Sequence, residues 1–208
     1  MEEKLRELSC ERFTAELASP APVPGGGSVA ALLGALSASL CAMAANLSGA
    51  RARDPAVGEV LAEAAKQAEG LRLRALSLID ADAEAFLPLS RAYALPKDAP
   101  GHAETLRRLS LQAGGVPLEL LRLCGDITQL LERLLNDTSR LLLSDVGCAA
   151  AVCRAAADCA AMNVLVNTRP FRDDAQAREY ERETEALRGD LTRRADAVMN
   201  SVRERLMS

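Results

Sequence analysis

Aromatic residues are almost missing from this chain: no Trp, two Tyr and three Phe among 208 residues. Sheet cores lean on aromatic and β-branched side chains, whereas a core of Leu, Ala and Val suits closely approaching helices. Histidine is scarce as well, with a single residue, His102, expected in a surface loop. The six cysteines (Cys10, Cys41, Cys124, Cys148, Cys153 and Cys159) include no C-x-x-C pair, so no metal site is expected. Basic charge is not in excess either. The formal net charge is −4, and Lys and Arg are scattered rather than blocked. That pattern offers no field for nucleic acid and no basic face for a membrane surface. No charged leader with an apolar segment opens the sequence. A cytoplasmic, reducing setting is expected, with the cysteines acting as small apolar groups. The nearest thing to a membrane span, Val29 to Ala45, is short and interrupted by Ser37 and Ser39, which reads as a buried core helix.

What is present is helical periodicity, enough for one domain over residues 1–208. Hydrophobic residues make up 49% of the chain, sufficient for a packed core. Leu5, Leu8, Phe13 and Leu17 among charges predict an amphipathic helix from about Glu2 to Ala18. Pro20, Pro22 and Pro24 then forbid helix, and a second helix is expected from Ser28 to Ser48-Gly49. Asp54-Pro55 is a cap followed by proline at the first helical position, opening a helix that runs to Tyr93. After a loop from Leu95 to Gly101, a fourth helix covers Ala103 to Leu135, with a kink expected at Gly114-Gly115-Val116-Pro117. Asn136 to Leu143 is ambiguous. A fifth helix runs from Ser144-Asp145 to Thr168, and a charged sixth from Asp173 to Leu206. The expected fold is all-α: a bundle of about six long helices with no sheet.

Polar residues that interrupt apolar stripes are the informative ones. Val57, Leu61, Ala64, Ala68, Leu71, Ala75 and Leu78 step by three and four, and the next position is Asp82. A carboxylate on a buried seam is costly unless it is paired, hydrogen-bonded or facing a cavity. It is equally a candidate partner for a core Arg or a helix terminus. Asp80 and Glu84 lie on another face and read as solvated. In the fifth helix, Val146, Ala149, Cys153, Ala156 and Ala160 lead into Asn163 and Asn167, amides that call for partners from backbone or ligand. Asp145, after the candidate cap Ser144, is stabilised by the helix dipole. The loop Pro24-Gly25-Gly26-Gly27-Ser28 is the sharpest feature. Its glycines permit positive φ and close approach, and the helix start behind it favours an anion. It is not a Walker loop, since no Gly-Lys-Ser/Thr follows.

These segments together resemble the cyclodeaminase/methenyltetrahydrofolate cyclohydrolase family, the cyclodeaminase part of formiminotransferase-cyclodeaminase. The likeness covers about residues 5 to 185 and rests on four segments in order. They are Ser19 to Ala31, Ile79 to Phe86, Leu95-Pro96-Lys97, and Ser144-Asp145-Val146-Gly147 leading to Asn163-Val164-Leu165-Val166-Asn167. The resemblance implies a helical homodimer with a folate cleft near the subunit interface, and a tetrahydrofolate derivative as substrate with no further cofactor. It also implies one of two reactions: hydrolysis of 5,10-methenyltetrahydrofolate, or release of ammonia from 5-formiminotetrahydrofolate. With no formiminotransferase segment in these residues the hydrolase is expected first, the deaminase second, and a non-catalytic folate-binding module third. Asp82 is expected to be the acid/base and Asp145 a second carboxylate. Pro24, Gly25, Gly26, Gly27, Ser28 and Asn163 would hold the ligand, and Lys97 its glutamate tail. Two segments depart from the family pattern. Ser48-Gly49-Ala50-Arg51-Ala52-Arg53 replaces a lysine-rich stretch with a tyrosine, and Asp137 to Leu143 replaces an Asn-Pro turn.

Overall fold

The computed structural model describes residues 3–208. Six α-helices carry the fold: α1 (Cys10–Leu17), α2 (Gly26–Gly49), α3 (Pro55–Tyr93), α4 (His102–Asp137), α5 (Leu143–Thr168) and α6 (Ala175–Met207). No strand occurs among the described residues. The first expected helix is broken: Leu5–Glu7 form a 3-10 turn and α1 starts after Ser9, whose hydroxyl accepts from Arg12 N–H. The expected start at Glu2 lies outside the described residues. The stop at Ser9 has a local cause, because a side-chain oxygen that satisfies a first-turn N–H favours a new helix start over continuation.

The other boundaries follow their caps. Asp54 accepts from Ala56 N–H with Pro55 at the first position of α3. Asp174, one residue past the expected start, accepts from Gln176 and Ala177 N–H and opens α6. The ambiguous segment contains a 3-10 turn, Arg140–Leu142, and α5 begins at Leu143, so Ser144 is inside the helix rather than its cap. α4 runs as one helix through Gly114 to Pro117.

The five long helices alternate in direction, as contacts along each pair show. Ser28 meets Asp82 near one end of α2–α3, and Gly49 faces Leu61 at the other. Ser37 donates to the carbonyl of Ala149, while Gly26 faces Asn163, so α2 and α5 are antiparallel. Small residues permit this closeness. Ala30, Ala38, Ala44, Ala149, Ala156 and Ala160 have no exposed surface, and close-packed interiors leave no slack for larger side chains there. α6 closes the bundle with a buried stripe of Ala177, Thr184, Leu191, Ala195, Val198 and Val202. Ion pairs from Arg122 to Glu183, Arg194 to Glu132 and Arg188 to Asp158 flank that stripe. Each is partly exposed and adds at most about 1 kcal/mol.

α3 and α4 continue past the start of α2 as a helical hairpin with its own small core of Ala85, Leu89, Ala92, Leu109 and Ala113. From Asp82 to Tyr93 this overhang is about 17 Å long at 1.5 Å per residue. It forms a wall beside the N-terminus of α2.

Candidate functional site

Asp82 sits on α3 at the level where α2 begins. The stripe that predicted it holds: Leu61, Ala64, Ala68, Ala75 and Leu78 are buried, though Val57 at its start is exposed. Ser28, fully buried, donates its hydroxyl to Asp82 Oδ2 at 2.8 Å. The backbone of Ser28 also favours the charged carboxylate. Asp82 thus occupies the positive end of α2, where first-turn N–H groups lack helical partners. Of the two bland alternatives, a core Arg or a helix terminus, the second describes its surroundings. Burial nevertheless outweighs both contacts and pushes the Asp82 carboxyl above the ordinary carboxylate range. No Lys or Arg forms an ion pair with it among the described residues.

The glycines serve this carboxylate by lacking a side chain. A Cβ on Gly27 would lie 2.5 Å from the Asp82 carboxyl carbon and 2.8 Å from its Oδ2. A Cβ on Gly26 would lie 3.1 Å from Asn163 Nδ2. The expected positive φ is not used. Gly25 is extended at φ −132°, Gly26 and Gly27 are already helical, and among the described residues only Gly101 has positive φ, at +72°. The helix therefore starts two residues earlier than Ser28, and the anion at its N-terminus is the chain's own Asp82. Pro24 is buried, while the backbone at Gly26 is exposed.

Asn163 faces this loop from α5. Its Nδ2 donates to the carbonyl of Cys159 at 2.8 Å, and Asn167 repeats the pattern on the carbonyl of Asn163. Both amides are half-buried. Backbone of their own helix satisfies the donors, which leaves Asn163 Oδ1 accepting no hydrogen bond among the described residues.

Asp80 corrects the reading of its face as solvated. Its side chain is only 14% exposed and pairs with Arg6 at 3.2 Å, while Glu84 is exposed as expected. Arg6 and Tyr180 escaped the sequence reading. Tyr180 packs by Gly114 and Gly115 and accepts from Gln176 Nε2 at 3.0 Å. Its rarity, as one of two tyrosines, was the available signal. His102 is half-buried as the first residue of α4 rather than in a loop.

Two residues lie away from this group. Lys97 is exposed on the loop at the tip of the overhang. Asp145 occupies the first turn of α5, 18 residues from Asn163, which is about 27 Å along the helix. One chain gathers Gly25–Ser28, Asp82 and Asn163 at one end of the bundle and leaves Asp145 well away from them. A groove of about 480 Å³ opens between α3 and α4, lined by Glu63, Lys66, Gln67, Asp126 and Arg133 among others. It holds none of the residues the motifs point to. No cluster of three or more His, Cys, Asp or Glu suited to a metal forms among the described residues.

Known proteins share both sequence and fold. The family model for formiminotransferase-cyclodeaminase matches residues 9–186. Methenyltetrahydrofolate cyclohydrolase of Methylorubrum extorquens is 32% identical over 200 residues, covering 94% of this chain and 96% of that one. Formimidoyltransferase-cyclodeaminase of Mus musculus is 28% identical over 209 residues, 98% of this chain but only 38% of the longer protein. The crystal structure of formiminotetrahydrofolate cyclodeaminase from Thermotoga maritima superposes with a TM-score of 0.82 at 27% identity, covering 96% of this chain and 99% of that one. On sequence and architecture together, this chain belongs to the formiminotransferase-cyclodeaminase family.

Proposed function

We propose that the chain hydrolyses 5,10-methenyltetrahydrofolate to 10-formyltetrahydrofolate. The observation that carries this reading is Asp82: a half-buried carboxylate with no cationic partner among the described residues, its pKa raised, at the mouth of a glycine-walled helix start. The substrate is an amidinium cation, and an uncompensated carboxylate both attracts it and accepts a proton. Water adds to the carbon between N5 and N10, and Asp82 takes a proton from it. The C–N5 bond of the resulting tetrahedral carbon then breaks as the C=O forms. N5 takes up a proton, leaving the formyl group on N10 and one proton released overall. Gly25, Gly26 and the acceptor Oδ1 of Asn163 would hold the ring, with Pro24 and Gly27 shaping the loop. Lys97, at the tip of the overhang, would meet the anionic tail of a ligand lying along α3. The near full-length similarity to a methenyltetrahydrofolate cyclohydrolase supports the choice of reaction.

The fold likeness to a formiminotetrahydrofolate cyclodeaminase favours a second reading at the same site, in which ammonia leaves the same carbon. The reading also takes the working unit as a homodimer in the cytoplasm. All six cysteines are free, which fits a reducing compartment. The test uses purified protein with methenyltetrahydrofolate and, separately, formiminotetrahydrofolate, following the methenyl chromophore. Accelerated loss supports the hydrolase, and appearance from the formimino compound supports the deaminase. Neither change, with folate binding by calorimetry, would mean a binding module and overturn both.

A further inference from the structure

α5 does not stop where its neighbour begins. Gly26, the first residue of α2, faces Asn163, and the two helices are antiparallel. Residues 164–168 of α5 therefore run past the start of α2, alongside the α3–α4 overhang. Asn167 lies on this extension, one turn or about 6 Å beyond Asn163. α4 gives way to it there, because a Cβ on Gly114 would lie 3.3 Å from the Asn167 Cβ. A glycine inside a helix costs about 1 kcal/mol against alanine. Gly114 is buried within α4, and the close approach of Asn167 explains a residue that propensity disfavours.

The two amides of α5 are oriented alike. Asn163 Nδ2 donates to the carbonyl of Cys159 and Asn167 Nδ2 to the carbonyl of Asn163, each at 2.8 Å. A carbonyl only accepts, so each amide turns its NH2 to its own helix and its oxygen outward. Neither Oδ1 is buried, and neither accepts a hydrogen bond among the described residues. α5 thus presents two outward acceptors on successive turns. The first-turn N–H groups of α2 supply donors at the level of Gly26. A ring that fits this pattern carries N–H groups along the edge toward α5 and an acceptor toward α2.

We infer that Asn167 is a second ring-binding residue, and that it distinguishes a reduced pterin from an oxidised one. This rests on the folate reading above. In a tetrahydropterin, the edge opposite O4 and N5 carries N–H donors at both ends, the 2-amino group and N8–H. With the carbon on N5 held at Asp82 and O4 at the N–H of Gly26, that edge lies against α5. Asn163 then accepts from the 2-amino group and Asn167 from N8–H. A fully oxidised pterin has no proton on N8. Its lone pair there meets the Asn167 oxygen, acceptor against acceptor, and the oxidised ring is refused.

The test is calorimetric titration of tetrahydrofolate and, separately, folic acid into wild type, Asn167→Leu and Asn167→Ala, with folding checked by circular dichroism. Both variants remove the acceptor, the first at nearly constant volume. Wild type should bind tetrahydrofolate at least about 10-fold more tightly than folic acid. Each variant should lose about 10-fold on tetrahydrofolate and nothing on folic acid, so the preference collapses. In turnover, the variants should raise KM for 5,10-methenyltetrahydrofolate about 10-fold and leave kcat within about twofold. A merely structural role for Asn167 would weaken both ligands equally. Equal weakening, unchanged affinities, or a wild type without preference overturns the inference, whatever the turnover. A protein that shows the Asn167-dependent preference yet converts neither the methenyl nor the formimino compound overturns the reaction and keeps the inference.

Discussion

The two ends of the bundle are built from the same two helices yet solve different problems. At the start of α2, glycine replaces side chains so that a carboxylate can lie against the helix terminus, and Ser28 is buried to hold it. At the far end of α2, a Cβ on Gly49 would lie 3.3 Å from Leu61 Cβ, and Ser48 accepts from Ser139 N–H at 3.2 Å, an ordinary helix-to-loop contact. The first end sacrifices packing for an ionisable group whose burial works against its charge. The second simply packs. Concentrated polar strain in an otherwise consistent core is where function is expected.

Substitution at the two glycines should separate the ends most strongly. Gly27→Ala drives a methyl into Asp82, so turnover should fall by about 100-fold or more as the carboxylate is displaced. Gly49→Ala should keep stability within about 1 kcal/mol, since the helix-propensity gain offsets a contact that must yield by a few tenths of an ångström. Equal effects in a thermal melt and a turnover assay would erase the contrast. Next comes Ser28→Ala. It removes a hydrogen bond to the carboxylate, about 0.5–1.5 kcal/mol, and should move the acidic limb of the pH–rate profile upward. The sign follows because that bond stabilises the charged form.

A smaller effect concerns stability alone. Asp82 holds its proton more tightly folded than unfolded, so it subtracts stability as pH rises above the unfolded value of about 3.9. Asp82→Asn should therefore raise Tm at pH 7, a gain that vanishes below about pH 3.9. A lower Tm at pH 7 would show that the contacts with α2 outweigh burial. The smallest effect belongs to Arg6→Ala. Its pair with Asp80 is partly exposed, so the loss should stay near or below about 1 kcal/mol in denaturant unfolding.

The helices were legible because apolar stripes of period 3.6 run for whole elements and the cap at Asp54-Pro55 carries its own chemistry. Asp82 was legible for the same reason, as a break in a stripe. A run of glycines was ambiguous by nature, because unusual backbone and close approach leave the same sequence trace. Here the cause is approach, and only the position of Asp82 across 54 residues of chain reveals it. The Arg6–Asp80 pair spans 74 residues and no local pattern marks it. The separation of Asp145 from Asn163, by contrast, follows from counting residues along one helix.

The central claim is that Asp82 moves the proton while the helix start of α2 and Asn163 position the ring. Steady-state hydrolysis of 5,10-methenyltetrahydrofolate by wild-type protein and Asp82→Asn, with folding checked by circular dichroism, addresses it directly. The account expects kcat to fall by about 10²–10⁴-fold, with KM raised as well because the charge that attracts the cation is lost. A folded Asp82→Asn protein with wild-type kcat would contradict it.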